Sequence, residues 1–128
     1  MYLETKAGRQ ELERKIKMLL LEVGVSPNEM GYHYLADAIH IVIEREEAGE
    51  GKKALALMEL YEAVAALESF ETKPLRVERC IRYAIERAFN KRTAKLESVF
   101  KGVEDKKSGK VTNGCFIHTL AQYLLVQG

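Results

Sequence analysis

The fold of this chain is most constrained by residues 73–95, where a helical apolar pattern coincides with a strong excess of basic side chains. Apolar residues recur there three and four positions apart, which is the spacing of a helix that buries one stripe. They are Val77, Cys80, Ile81, Ala84, Ile85, Ala88 and Phe89. The opposite face and its flank are polar, and comprise Arg76, Glu78, Arg79, Arg82, Tyr83, Glu86 and Asn90. The pattern predicts an amphipathic helix that Thr72 caps, with Pro74 in its first turn.

The basic charge of the chain is concentrated in the same stretch. Residues 73–95 hold eight basic and two acidic side chains, a net charge of +6, whereas residues 1–72 hold eight basic and fourteen acidic ones. The total of +1 therefore hides a basic helix on an acidic body. A row of exposed guanidinium groups suits DNA, because it neutralises phosphates and pairs with guanine in the major groove. The alternative interpretation is a solvated surface helix with ion pairs such as Glu78–Arg82 and Arg82–Glu86.

Length and composition indicate a globular protein with a single domain, residues 1–128. The chain is 47% apolar and 30% charged, with no apolar run as long as a membrane span. Its N-terminus lacks the apolar core of a signal peptide. Cys80 and Cys115 fall at apolar helical positions, which predicts free, buried thiols and no disulfide framework. We therefore expect a cytoplasmic protein that is not associated with a membrane.

Helical periodicity also precedes the basic stretch. Residues 1–9 are expected to form a disordered arm or the start of a helix. A first stripe follows and ends at Gly24; it comprises Leu12, Ile16, Leu19, Leu20 and Val23. A second helix from about Gly31 has its stripe at Leu35, Ala38, Ile39, Val42 and Ile43. Residues 49–51 form a break, and a third helix from near Lys52 places on one face Leu57, Leu60, Tyr61, Val64 and Leu67.

Two further helices are expected after the basic stretch. Leu96, Val99 and Phe100 mark a short helix that Gly102 ends, and a charged loop follows at residues 103–110. Thr112 or Asn113 can cap the last helix, whose buried side is Phe116, Ile117, Leu120, Ala121 and Leu124. No run alternates in the manner of a strand. The prediction is an all-α fold of about six helices, in which residues 52–91 have the order of a helix-turn-helix.

The sequence offers little support for other chemistry. His33 and His40 lie seven residues apart, but no spacing of histidine and cysteine matches a metal site. No glycine-rich phosphate loop is present, and no arrangement pairs a nucleophile with a base. We therefore expect no metal, no cofactor and no enzymatic activity.

Four stretches resemble the C-terminal effector domain of the sporulation initiation response regulator, the master transcription factor of endospore formation. Residues 76–86, Arg-Val-Glu-Arg-Cys-Ile-Arg-Tyr-Ala-Ile-Glu, are similar to the recognition helix of that family and form the most specific match. Residues 22–27 resemble the end of its first helix, and residues 31–39 the start of its second. Thr112 and Asn113, followed by Phe116 and Ile117, resemble the opening of its last helix. The likeness spans about residues 12–125.

The resemblance implies a six-helix fold with a helix-turn-helix that binds short boxes in double-stranded DNA, often in tandem. It implies base contacts by Glu78, Arg79 and Arg82, with the basic helix in the major groove. DNA backbone contacts are expected from six further side chains of this region, Lys73, Arg76, Tyr83, Arg87, Lys91 and Arg92. The resemblance would also place a contact with RNA polymerase in the loop at residues 103–110 and in the short helix before it. A homodimer on tandem sites is a further expectation.

The chain departs from this family in four respects. The turn before the basic helix is about two residues longer and contains Pro74, and residues 65–68 read Ala-Ala-Leu-Glu where the family tends to have lysines. Tyr83 replaces what is often a histidine. The phosphoacceptor receiver domain of the family is absent from this chain, which is either the effector half of a longer protein or, as the initial Met favours, a stand-alone relative.

Two functions are consistent with these features. The first is a sequence-specific, DNA-binding transcription regulator. The alternative is a protein-interaction module of the same fold, which modulates a full-length regulator without productive DNA binding. The intact Arg-Val-Glu-Arg-x-x-Arg pattern of residues 76–82 favours the first, whereas the acidic first half and the altered residues 65–68 motivate the second.

Overall fold

The computed structural model describes residues 6–49, 56–69, 71–104 and 108–127. Within these ranges the chain forms six α-helices and no strand, which confirms the predicted all-α fold. The helices are α1 (Lys6–Glu22), α2 (Met30–Glu47), α3 (Leu57–Glu68), α4 (Pro74–Lys91), α5 (Ala94–Val99) and α6 (Asn113–Gln127). The basic stretch of the sequence is therefore α4, and it follows α3 after a short turn.

Helix α2 lies at the centre of the structure and packs against α1, α3, α4 and α6. Its predicted stripe is buried throughout, as are the predicted stripes of α1 and α6. Helix α4 buries Val77, Ile81, Ala84, Ile85 and Ala88, while Cys80 and Phe89 are half-buried. Because one apolar face of α4 is held by α2, α3 and α6, its other face is left open to solvent.

Several helix ends differ from the predictions. Helix α1 begins at Lys6, so residues 6–9 form the start of a helix, which was one of the two expectations for this stretch, and not a disordered arm; residues 1–5 lie outside the described part of the chain. The described part of the chain also excludes the predicted start of α3 near Lys52 and most of the break at residues 49–51. The first residue described after this gap is Ala56, which precedes α3 as its N-cap. The predicted cap at Thr72 was wrong, because α4 takes Lys73 as N-cap without a side-chain hydrogen bond.

Two predictions about burial also need correction. Leu67 was assigned to the buried face of α3, but 66% of its surface is exposed, and Leu57 is exposed as well. Cys80 and Cys115 are free thiols as expected, although they are half-buried and not fully enclosed.

The predicted turn residues behave largely as expected. Gly24 has a φ of +100° just after α1, where the Val25 amide donates to the Leu20 carbonyl over 2.9 Å. Thr112 caps α6 by accepting a hydrogen bond from the Cys115 amide at 3.2 Å. Residues 105–107 of the charged loop, which were expected to contact RNA polymerase, lie outside the described residues. No helix in the described ranges is both long and apolar enough to cross a membrane.

Candidate nucleic-acid interface

The position of α4 depends on a close approach to α2 at Gly31. A Cβ atom at Gly31 would lie 2.4 Å from the Cys80 carbonyl oxygen and 2.6 Å from the Ala84 Cβ. Both neighbours belong to α4, and neither is the flexible end of a long side chain. Only glycine lets the two helices cross at this distance, so Gly31 sets how far the outer face of α4 stands from the core.

Asn113, at the start of α6, links the two helices of the helix-turn-helix. Its Nδ2 donates to the hydroxyl of Tyr61 on α3 at 3.0 Å and to the backbone carbonyl of Glu78 on α4 at 3.2 Å. Burial raises the pKa of Tyr61, which keeps the phenol neutral in this contact. A single amide thus fixes α3 against the first turns of α4.

Residues 73–83, which we call the first half of α4, present their polar side chains to solvent. Arg79 is exposed and, among the described residues, has no hydrogen bond or ion pair. Its guanidinium group therefore keeps all of its donors available to an external acceptor.

Arg82 lies one turn further along the same face and is held only by its own helix. Its Nε donates to Glu78 Oε1 at 3.0 Å, and its guanidinium carbon lies 5.2 Å from the centre of the Tyr83 ring. The hydrogen bond to Glu78 raises the pKa of Arg82, so the group stays charged. The predicted pair Glu78–Arg82 is confirmed, and it orients Arg82 while leaving it accessible.

Two further cations lie at the start of α4. Lys73 is exposed at the N-cap, and Arg76 is exposed with its Nε 3.3 Å from the hydroxyl of the buried Tyr34 on α2. The hydroxyl of Tyr34 is thereby satisfied, and the stem of Arg76 is drawn toward α2. Both residues lie at the N-terminal end of α4, where the helix dipole favours a phosphate, although Pro74 has no N–H and the Arg76 amide already donates to the Lys73 carbonyl.

Residues 84–92, which include the C-cap and which we call the second half of α4, have their basic side chains bonded to other segments of the protein. The Nε of Arg87 donates to Glu29 Oε1, before α2, and Lys91 Nζ donates to the Gly24 carbonyl at 3.1 Å. Arg92 ends the helix with a φ of +48° and bonds Glu97 at 2.6 Å and both carboxylate oxygens of Glu104 at 2.9 and 3.0 Å. These cations fasten α4 to the segments around it.

An acidic site lies at the contact of α2 with the end of α3. Burial, followed by hydrogen bonding and repulsion from the Glu68 carboxylate, raises the pKa of Asp37 to about 7. The Lys17 ammonium group opposes this shift only weakly. The end of α3 next to the turn therefore lacks basic groups and adds a carboxylate, as residues 65–68 indicated.

Other possible sites in the described residues are modest. No group of three or more metal-binding side chains occurs there. His40 Nε2 lies 3.0 Å from Glu44 Oε1, and His33 packs edge-on against the Tyr32 ring, so the two histidines do not share a site. A groove of about 550 Å³ lies beside α4, with Tyr61, Glu78, Arg82 and Phe89 among its lining residues.

The structure divides the predicted contact residues into two groups. Glu78, Arg79, Arg82 and Tyr83 lie together on the exposed first half of α4, with Lys73 and Arg76 at its start. Arg87, Lys91 and Arg92 lie toward the other end and are engaged by the protein. Neither Gly31 nor Asn113 was predicted to position the helix; both fall within the family-like stretches, and that placement was the only signal for them.

Comparison with protein families agrees with this geometry. The family model described as the sporulation initiation factor Spo0A C terminal matches residues 16–124, which include the last seven residues of α1 and the whole of α2 to α5. The match covers the helix-turn-helix and all but the last three residues of α6. The family is a DNA-binding regulatory domain and not an enzyme. The chain therefore belongs to the C-terminal effector-domain family of the sporulation initiation factor Spo0A.

Proposed function

We propose that this chain is a sequence-specific, DNA-binding transcription regulator that inserts α4 into the major groove. The observation that carries the proposal is the pair Arg79 and Arg82, exposed side by side on the one helix face that the core leaves open. A major groove about 12 Å wide admits a helix, and an arginine can pair with both O6 and N7 of guanine. Family membership supports the same function.

Three side chains would read bases. Arg79 has no internal partner among the described residues, so pairing with guanine would cost it no existing contact. Arg82 is pre-oriented by Glu78 and the Tyr83 ring, which reduces the entropy that it would lose on binding. The second oxygen of Glu78 has no protein partner in the described ranges and could accept from cytosine N4.

The remaining predicted contacts would hold the DNA backbone. Lys73 and Arg76 lie at the helix start, where phosphates are also attracted by the positive end of the helix dipole. Tyr83 would donate its hydroxyl to a phosphate beside Arg82. Arg87, Lys91 and Arg92 are engaged by the protein, so we assign them long-range attraction and a smaller share of direct contacts.

The proposal is tested by titrating the protein into two labelled duplexes of the same composition, one carrying a family-type box and one scrambled. Affinities are measured at two salt concentrations. We expect tighter binding of the box at both, with affinity for either duplex falling as salt rises. Equal affinities would contradict base reading. Binding to neither duplex, together with co-purification of a full-length regulator, would favour the interaction module instead.

A further inference from the structure

An exposed leucine occupies the start of α4, beside the arginines. Leu75 is 63% exposed, whereas the next apolar residues of the helix, Val77 and Ile81, are fully buried. Pro74 precedes it at the first helical position and fixes the backbone there. Leu75 is thus an exposed apolar side chain, on a helical backbone that begins at a proline, on a face that is otherwise polar.

Leu75 shares its helix face with the proposed base readers. Residues 75, 79 and 82 are spaced by four and three, so their side chains follow one line along the helix. Four residues of α-helix advance about 6 Å, and base pairs are stacked about 3.4 Å apart. A helix that brings Arg79 to a guanine would therefore bring Leu75 to an edge one or two base pairs away.

The chemistry of Leu75 restricts what it can recognise at that edge. It has no donor or acceptor, so it cannot pair with the polar groups of guanine, cytosine or adenine. The apolar feature that a base presents in the major groove is the C5-methyl group of thymine. Burying a leucine against a polar edge would leave that edge without its water, whereas a methyl group gains from the contact.

We infer that Leu75 reads the 5-methyl group of a thymine one or two base pairs from the guanine bound by Arg79. The inference rests on the proposed function and adds a third base determinant to it. An isolated exposed leucine is common on protein surfaces, and Leu67, 66% exposed at the end of α3, is one such case. Leu75 differs from Leu67 because it lies in line with Arg79 and Arg82.

Uracil substitution tests the inference without altering the protein. Each thymine of the bound box is replaced singly by deoxyuridine, which removes the methyl group and keeps base pairing. We expect one thymine, next to the Arg79 guanine, to lose about three- to fivefold in affinity, the value of one buried methyl group. Leu75→Ala should bind the thymine and uracil duplexes equally, whereas the matched control Leu67→Ala should keep the difference.

The outcomes separate this inference from the proposed function. If the wild-type chain prefers its box but no uracil position weakens binding, or if Leu75→Ala keeps the thymine preference, Leu75 does not read thymine. If the wild-type chain shows no box preference, the proposed function fails first. Far-ultraviolet circular dichroism of both variants checks that the helices are intact, and since Leu75 is exposed we expect no change.

Discussion

The two halves of α4 carry the same kind of side chain but use it differently. In residues 73–83, Arg79 points to solvent without a partner in the described structure, and Arg82 bonds only to Glu78 on the same helix. In residues 84–92, Arg87 bonds Glu29, Lys91 bonds the Gly24 carbonyl and Arg92 bonds two glutamates. Apart from Arg76, whose Nε donates to the Tyr34 hydroxyl on α2, the first half offers its cations outward, whereas the second half uses them to fasten the helix.

This difference shows that net charge alone does not define a DNA-binding surface. The +6 of residues 73–95 divides into cations that are available to a ligand and cations that already have acceptors. An engaged arginine must give up its internal carboxylate before it pairs with a phosphate, which offsets part of the gain. The first half of α4 should therefore dominate recognition, and the second half should dominate the anchoring of the helix.

The largest expected effect separates the two halves directly. Arg79→Ala should weaken binding to the box by roughly 5- to 150-fold, which corresponds to the loss of one bidentate arginine–guanine pair, and change the midpoint of thermal unfolding little. Arg87→Ala is the matched control, since it should lower the unfolding midpoint and reduce affinity for box and scrambled duplex alike. Anisotropy titrations and thermal melts measure both. Equal losses of box preference in the two variants would remove the distinction between the halves.

A second prediction concerns the contact on which both halves depend. Gly31→Ala should destabilise the fold by about 1–3 kcal/mol, because the added methyl group meets the Cys80 carbonyl and the Ala84 Cβ. Gly114→Ala is the control: its Cβ would meet only Leu57 at 3.7 Å, and alanine favours the helix, so stability should hold or rise. Urea unfolding measures both. Similar values for the two variants would mean that α2 and α4 are not in close contact.

A third, smaller effect should fall on the first half of α4 alone. Asn113→Ala removes the donor shared by Tyr61 and the Glu78 carbonyl, which should cost about 1–2 kcal/mol. Amide hydrogen exchange should quicken in α3 and the first turns of α4, with residues 84–92 much less affected. Asn90→Ala, on the exposed face, should leave stability and exchange unchanged. Uniformly faster exchange along α4 would count against a local role for Asn113.

The smallest expected effect concerns the acidic contact of α2 with the end of α3, which involves neither half of α4. Asp37 holds its proton up to a pH of about 7 in the folded chain, whereas its ordinary pKa is 3.8. Between these values the unfolded chain binds fewer protons than the folded one, so the free energy of unfolding should fall as pH rises.

Asp37→Asn should remove that fall. Because the carboxyl group is only partly buried, solvent screening reduces the gain of the variant at pH 8 to on the order of 1 kcal/mol, and little should remain at pH 4. Urea unfolding of variant and wild type across this range measures the difference. Parallel pH profiles would show that Asp37 is not destabilised in the native state.

The helices were predicted well from the spacing of apolar residues, because a buried stripe such as Val77, Ile81 and Ala84 repeats with the helical period within one segment. Prediction failed where the outcome depends on distant parts of the chain. The Arg87–Glu29 pair joins residues 58 apart, and the clash that reserves Gly31 for glycine involves α4. Thr72 was misassigned as the N-cap because the cap is set by the backbone angles at the first turn, and here Lys73 is the extended residue that precedes the helix.

The candidate site could likewise be predicted from the sequence only in part. The family-like pattern of residues 76–82 identified the first half of α4, and exposure of Arg79 and Arg82 follows from helical spacing. Which cations were already engaged was not predictable, since their acceptors lie in other segments. The Glu97 and Glu104 partners of Arg92, for example, follow the helix, and no periodic pattern links them to it.

The most direct test of the account replaces guanines of the box singly by 7-deazaguanine, which lacks the N7 acceptor but keeps Watson–Crick pairing. If the first half of α4 reads the major groove, at least one substitution should weaken binding by the wild-type chain and have no further effect on Arg79→Ala or Arg82→Ala. Unchanged affinity at every guanine, with the box still preferred over the scrambled duplex, would contradict arginine reading of guanine in the major groove.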